Sequence, residues 1–540
     1  MSELSELSQL SQFILAGESR LPETGIPDVG DSRFSLTSAS RSRTVRRTWL
    51  DTFDWRLFRA GLTLEQVTGG GTSELVLTGR GGELVAAVPT GPDRLRWPGL
   101  IDDLPVGPLR ERLATVLDVR ALLPVAKATS ILTQLRALNS DEKTIAILAL
   151  DRMTVTPANG AHRAGAHRAG AAGQPDQPPA RLAIAPLRGY QAQATRLAEV
   201  LRNADGVGAA TASPFESALA ATGRAPGDYS SKISVRLTGA TPATQSLGVV
   251  LSALFDTVEA NLPGTIADID TEFLHDLRVA VRRTRSVLKS GKAVLPASLL
   301  AKYRPEFKWL GDLTTPTRDF DVYLLGYPAM AAGLLAASEA ELLPLRQFLE
   351  HGRASSYRQL VRGLRSPRFK ALTSDWRGDV EQLASAPGRR PSTSTFAASR
   401  IGKAHRLVLS SGAAIGQDSP PQALHDLRKR CKELRYLLEV FASLYDQSEH
   451  WRAVNELKAL QDCLGEFQDM DVQLTELRGF ATAMLADRGT PAGTLLAMGE
   501  IAAGLAARQA AARQQFTSRF AGFASPRGQA RIDALTKAAA

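Results

Sequence analysis

HDLRVAVRRTRSVLK, His275–Lys289, and HDLRKRCKELRYLLE, His425–Glu439, are two copies of one pattern. Each is followed at the same distance by a second echo, KWLGDLTTPTRDFDV from Lys308 and KALQDCLGEFQDMDV from Lys458. The offset is the same for both, 425 minus 275 and 458 minus 308, or 150 residues, as a duplicated helical unit would give. Leu274, Leu277, Val281 and Leu288 recur at helical spacing and predict one buried stripe; Leu424, Leu427, Cys431, Leu434 and Leu438 repeat it.

One position further on run His275, Arg278, Arg282, Arg285 and Lys289. At helical rise this row is about 20 Å long. Neighbouring like charges in it repel by a few tenths of a kcal/mol per pair. The second copy keeps His425, Arg428, Lys432 and Arg435 but ends on Glu439. A row of cations without interleaved carboxylates points to an anion that relieves it. The competing reading is a solvated face, or ion pairs to Asp319, Asp321, Asp469 and Asp471 of the echoes. Recurrence of the row in a second copy argues against a merely solvated face. The four aspartates are read as helix-start or ion-pair residues that orient the arginines, in preference to metal ligands.

Outward from this core, segments from about residue 240 have helical period, with breaks expected at Pro263, Pro296, Pro316, Pro328, Pro367, Pro391 and Pro420–Pro421. Two related repeats are expected, at about 243–385 and 395–525, with a tail at 526–540. Before them, residues 31–205 carry short β-prone runs (TVRRTWLD, LTLEQV, ELVLTG, ELVAAV, SILTQLRAL, TIAILALDRMTV, RLAIAPL) separated by TGGGT, GRGG and NSDE turns. Helices are expected near 107–119 and 190–203, giving an α+β domain with an antiparallel meander. Residues 1–30 read as a flexible arm and 206–242 as a linker. A flexible loop is expected at 157–180, where AHRAG occurs twice; His162 and His167 there lack Cys or carboxylate company, so a loop is preferred to a metal site.

A net charge of +10 and a pI near 9.7 point to an acidic partner. The two cysteines, Cys431 and Cys463, fall in apolar helical pattern, so they read as core thiols in a reducing interior rather than a disulfide. The start MSELSELSQLSQFILAGESR lacks the form of an export signal, and no stretch has the apolarity of a membrane span. A cytoplasmic protein is expected.

The histidine followed by cations, twice, with a downstream Lys and Asp-x-Asp, resembles the CHAD family, the conserved-histidine α-helical domain, over about residues 240–525. The resemblance implies two pseudo-symmetric four-helix bundles whose basic faces bind inorganic polyphosphate. Carried over by position, the polyphosphate-binding set is His275, Arg278, Arg282, Arg285, Lys289, Lys308 and Arg318, then His425, Arg428, Lys432, Arg435 and Lys458. Gln468 stands where the first copy has Arg318. Arg304, Arg358, Arg362, Arg400, Lys403 and His405 on neighbouring helices are candidates to widen the surface.

WLDTFDWRLFRAGLTLEQV from Trp49 resembles a segment of the CYTH superfamily, the triphosphate tunnel enzymes. That family implies an antiparallel tunnel that binds triphosphates with basic residues and Mg²⁺ with paired carboxylates. Here the opening Glu-x-Glu-x-Lys is Ser-Arg-Phe-Ser-Leu-Thr around Phe34, the Leu-Arg-x-Arg strand is Leu64-Glu65-Gln66-Val67, and the late Glu-x-Glu is Ala183-Ile184-Ala185. Around Lys127–Thr133, where arginines belong, stand Ala128, Thr129, Ser130 and Ile131; Asp51, Asp54 and Asp151 read as turn or surface residues. The domain is therefore expected to be a degenerate CYTH-like one, with no catalytic residue, no metal site and no cofactor. The whole reads as a polyphosphate-binding protein, associated with polyphosphate granules, without a membrane partner. Two alternatives stay open: a metal-dependent triphosphatase or nucleotidyl cyclase in the tunnel, and a nucleic-acid-binding module. Aromatic residues make up 6% of the chain and do not interleave with the ridges, which disfavours base stacking.

Overall fold

Gly70 and Gly71 take φ of 60° and 80° between two strands, the backbone that a tight hairpin turn requires. The strands they join belong to a ten-stranded antiparallel sheet in the computed structural model, which describes residues 12–15, 34–91, 95–156, 177–204, 206–385, 391–486 and 489–538. In chain order come β1 (Gln12–Leu15), β2 (Phe34–Ser38), β3 (Arg43–Asp51), the single turn α1 (Arg56–Arg59), β4 (Leu62–Gly69), β5 (Thr72–Gly79) and β6 (Leu84–Thr90). Then follow α2 (Pro108–Leu117), β7 (Leu123–Asn139), β8 (Thr144–Thr156), β9 (Ala180–Pro186), α3 (Gln191–Arg202), β10 (Val207–Ala209) and α4 (Pro214–Ala220). The strands lie in the order β10-β1-β9-β8-β7-β3-β4-β5-β6, with β2 also on β7. Among the described residues no pairing joins β6 to β10, so the sheet is open and not the closed tunnel that the sequence led us to expect.

Alternation carried most of this unit, and the strands and helices read from the sequence are present. Residues 12–15, inside the expected arm, form β1, which buries Phe13 and Leu15 and pairs with β9 and β10. The rest of that arm, and the tandem AHRAG stretch with His162 and His167, lie outside the described residues. The expected linker starts as structure: β10 pairs with β1, and α4 opens on a capping box of Ser213 and Glu216 with Pro214 inside its first turn. Its Phe215, Ala218 and Leu219 pack on Trp49, Trp55, Ala126, Ala128, Met153 and Val155. The Ser, Pro and Ala that read as linker there are a cap and a small-residue helix face.

Of the aspartates read as turn or surface residues, Asp51 and Asp54 do hold the turn after β3, and Asp151 lies within β8. Asp51 is buried and accepts the backbone N–H groups of Thr52, Leu57 and Phe58 at 2.7, 2.9 and 2.9 Å; burial pushes its carboxyl up to about 7. Asp151 pairs with Arg47 at 3.0 Å, and Glu65 holds the same guanidinium. Asp54 accepts from Thr52 Oγ1 at 2.8 Å and from Arg56 at 3.2 Å. None of the three is a free surface acid.

The chain divides into two units, Met1–Ser231 with Pro263–Phe273, and Lys232–Leu262 with Leu274–Ala540. The second is helical. Its first copy holds α5 (Ala243–Ile266) and α6 (Thr271–Ser290), apart from residues 263–266 and 271–273, and α7 (Ala297–Ala332), α8 (Glu339–Leu364) and α9 (Pro367–Ser385). The second copy holds α10 (Thr393–Ala413), α11 (Pro421–Val440), α12 (Gln447–Ala486), α13 (Ala492–Phe523) and α14 (Pro526–Ala538). The first three helices of each start 150 residues apart, at 243/393, 271/421 and 297/447.

Each copy thus has five described helices where four were expected, and the expected tail is the fifth of the second. Ser-Pro begins it in both copies: Ser366 Oγ accepts from Phe369 N at 3.2 Å and Ser525 Oγ from Gly528 N at 3.1 Å, with Pro367 and Pro526 as first helical residues. In α14, Ile532 and Leu535 are buried. Pro263, Pro316 and Pro328, expected as breaks, lie inside helices. An interior proline costs about 3 kcal/mol. Helix α7 carries three but buries Leu299, Leu300, Tyr303, Phe307, Leu310, Tyr323 and Tyr327. At about 1.5–3 kcal/mol for each large apolar side chain, that burial outweighs the prolines.

The two copies share a core. Tyr323, Tyr327, Leu342 and Leu345 of the first pack with Met470, Leu474, Leu477 and Ile501 of the second. Among the described residues no helix is long and apolar enough to cross a membrane.

Candidate anion-binding site

Helices α6 and α11 bury the stripes read from the sequence: Leu277, Val281, Leu427, Cys431 and Leu434 have no measurable exposure. Burial pushes the Cys431 thiol up to about 12, which leaves it an inert core group. With the apolar side fixed, helical geometry turns the cation rows away from that core. Their environments then differ residue by residue.

In the first copy Arg278 is half-buried and donates from Nη1 to the Gly311 carbonyl at 3.2 Å and to the Thr314 and Thr315 hydroxyls of α7. Burial pulls its pKa down, and Arg282, Arg318 and Arg285 act in the same direction against Asp319. Arg285 is exposed, its Nη1 resting over Gly311, where an added Cβ would come within 2.7 Å. His275, the first residue of this row, and Arg318 of α7 are half-buried. Asp319 is pushed up to about 6 by burial, with Glu476 of the second copy adding to the push and Arg278 and Arg318 opposing it.

In the second copy Arg428 donates from Nη2 to Asp469 at 2.8 Å. His425 Nδ1 lies 2.5 Å from Gln468 Oε1. Arg435 donates to Glu439 at 2.7 Å and to Gln461 at 3.4 Å. The half-buried Lys432 is pulled down to about 8, first by burial and then by Arg428 and Arg282, with Arg435 adding and Asp469 opposing. Arg282 and Lys432 are equivalent positions, 282 plus 150, one from each copy. The two ridges come close enough there for Arg282 of one copy to act on Lys432 of the other.

Further along, the copies clasp. Lys289 Nζ is 2.8 Å from Glu433, and Arg283 Nη2 is 2.8 Å from Glu439. Positions 283 and 289 plus 150 are 433 and 439, so this is one contact made twice with its charges exchanged. Of the sites read from the sequence, Lys289, Arg428 and Arg435 are therefore engaged by carboxylates, and Lys308 pairs with Asp312 at 2.6 Å on an exposed face of α7. Lys458 is exposed on α12. The groups brought together around the meeting point are Arg278, Arg282, Arg428 and Lys432. Among the described residues, the buried Nε of Arg282 and that of Arg428 have no hydrogen-bond partner.

Asp319, Asp321, Asp469 and Asp471 lie in the middle of α7 and α12 and so are not helix starts. Their ion-pair part stands, since Asp469 holds Arg428, and Asp321 holds Arg353 at 2.6 Å. Asp471 accepts from Gln509 at 3.0 Å, fixing α12 to α13 as Asp321 fixes α7 to α8. His405 does not widen the surface: it is buried edge-on to Phe523, and burial pulls its pKa down. Arg283, Glu433, Thr315, Gln461 and Glu476 were missed by the sequence reading. The opposite signs at 283/433 and 289/439 were the available signal for the first two.

Residues 249–478 match the CHAD domain family, so the helical unit contains a CHAD domain. An uncharacterized protein of Mycobacterium tuberculosis is 27% identical over 215 residues, 38% of this chain and 39% of that protein. The match thus spans about two fifths of its length. Among solved structures, the CHAD domain from the plant Ricinus communis is 25% identical with a TM-score of 0.46, covering 55% of this chain and 96% of that one. PptA from Streptomyces chartreusis is 19% identical with a TM-score of 0.41, covering 52% and 99%.

Proposed function

We propose, from the CHAD domain at residues 249–478, that this chain binds inorganic polyphosphate on the cations where α6 and α11 meet. The observation that carries the proposal is the half-buried Lys432, held within the field of Arg282, Arg428 and Arg435, with the opposing carboxylate of Asp469 already engaged by Arg428. Such a cluster is electrostatically unfavourable alone and is relieved by a dense polyanion. Guanidinium forks suit phosphate oxygens, and multiple cation contacts gain by releasing counterions. Association with polyphosphate granules follows from the same chemistry.

The test is titration of the full chain with polyphosphate at two salt concentrations, with single-stranded RNA as competitor. Affinity is expected to fall steeply with salt. Replacing Arg278, Arg282, Arg428 and Lys432 with Ala is expected to remove several kcal/mol, at roughly 1–3 kcal/mol per charged hydrogen bond. Unchanged affinity in that variant, with circular dichroism intact, or preferential binding of RNA, overturns the proposal.

The sheet unit belongs to this reading as a noncatalytic, CYTH-like partner. Arg47 is neutralised by Glu65 and Asp151, and α4 packs its apolar side on Trp49, Ala128 and Met153 of the same sheet. With Ala183 and Ala185 on β9, the paired acids for a metal are missing from that strand. The full chain with Mg²⁺ or Mn²⁺ is expected to release no phosphate from ATP or tripolyphosphate above a buffer control. Release that is lost on chelation would establish the triphosphatase alternative.

A further inference from the structure

We infer that Glu439 is an acidic stop that ends the polyphosphate track on the second ridge and so sets a preference in chain length; the inference rests on the polyphosphate reading above. Glu439 is in the same helical row as His425, Arg428, Lys432 and Arg435, one turn beyond the last cation. It is held from both sides, by Arg435 Nε at 2.7 Å and Arg283 Nη2 at 2.8 Å, with its side chain 20% exposed. An anion running along α11 past Lys432 therefore meets a fixed carboxylate and two cations already neutralised by it.

The first copy shows that the clasp does not need an acid there. Its row ends on Lys289, and the carboxylate of the equivalent contact is Glu433, at the position of Arg283 and off the row. Either polarity closes the contact, but only one places a negative charge in the path of the ligand. The first ridge is thus open at the end where the second is closed, apart from the exposed Lys289–Glu433 pair.

The experiment uses the full chain, tripolyphosphate and a long-chain polyphosphate. Glu439→Gln is expected to tighten the long chain by about three- to tenfold and to steepen the slope of log affinity against log salt by about 1, since one more cation contact is gained. Tripolyphosphate, short enough to sit between His425 and Lys432, is expected to change less than about twofold. A double variant, Arg283→Glu with Glu439→Lys, copies the polarity of Lys289–Glu433; it keeps the clasp, guards against misfolding of the single variant, and is expected to give a larger gain for the long chain. An equal gain for both ligands, no change, or weaker binding in folded variants overturns the inference while leaving the polyphosphate reading intact. Absence of binding by the unmodified chain overturns that reading first.

Discussion

The two copies of the ridge share a backbone pattern and differ in what holds their cations. Arg278 is held by a carbonyl and hydroxyls of α7, whereas its counterpart Arg428 is held by the carboxylate of Asp469. The exchange follows from the echoes: Thr315 in the first becomes Gly465 in the second, which leaves no hydroxyl at that position. Arg285 rests over Gly311, while Arg435 meets Gln461 at the same place. Duplication thus preserved the burial pattern and the place of the charges, and left the partners free to diverge.

If the burial pattern is what is preserved, equal damage to it must have equal effects. Leu277→Ala and Leu427→Ala, at positions with no exposure, are each expected to destabilise the helical unit by about 2–5 kcal/mol in urea unfolding. A loss at one copy only would break the comparison at its root.

The charged rows are expected to differ. Burial and the neighbouring Arg428 and Arg282 pull Lys432 down to about 8, whereas the equivalent position of the first copy, 282, holds a guanidinium. A bound anion favours the charged form, so binding takes up a proton as the pH passes that value. Polyphosphate affinity is therefore expected to weaken by up to about tenfold between pH 7 and 9. Lys432→Arg is expected to flatten that profile, and a profile that persists in the variant assigns the proton elsewhere.

Asp319 sharpens the contrast at lower pH. Its folded value of about 6, set by burial and Glu476 against Arg278 and Arg318, is above the ordinary carboxyl value near 3.8. The sign is that of a raised acid: its contribution to stability is present below about 4 and is lost as pH rises through about 6. Asp319→Asn is expected to remove roughly 1 kcal/mol of that pH dependence, after allowance for solvent screening, in unfolding measured from pH 4 to 7. An unchanged slope would show that Asp319 is not the titrating group.

The smallest effect belongs to the exposed clasp. Lys289 is 66% exposed in its pair with Glu433, so Lys289→Ala is expected to change stability by no more than about 0.5 kcal/mol. Glu439→Ala, which removes two better-shielded pairs, is expected to exceed it. The reverse order in thermal unfolding would contradict the asymmetry of the two ends.

The sequence alone determined the repeat, from its 150-residue offset, and local periodicity determined the buried stripes of α6 and α11, the cation rows and the strands β3 to β9, because each of these is a relation between residues two to four positions apart. Tertiary structure decided the rest. Pro316 reads as a break over a few residues, but the burial of Tyr303, Phe307 and Tyr323 along α7 overrides it. Ser213 and Pro214 read as linker until Phe215 finds Trp49. Arg283 and Glu439 are 156 residues apart, and Lys289 and Glu433 144. A contact at such a distance leaves no period in the sequence. Which cations stay available to an anion was settled only when two copies of one helix were brought face to face, where both bridging carboxylates, Glu433 and Glu439, come from the second copy.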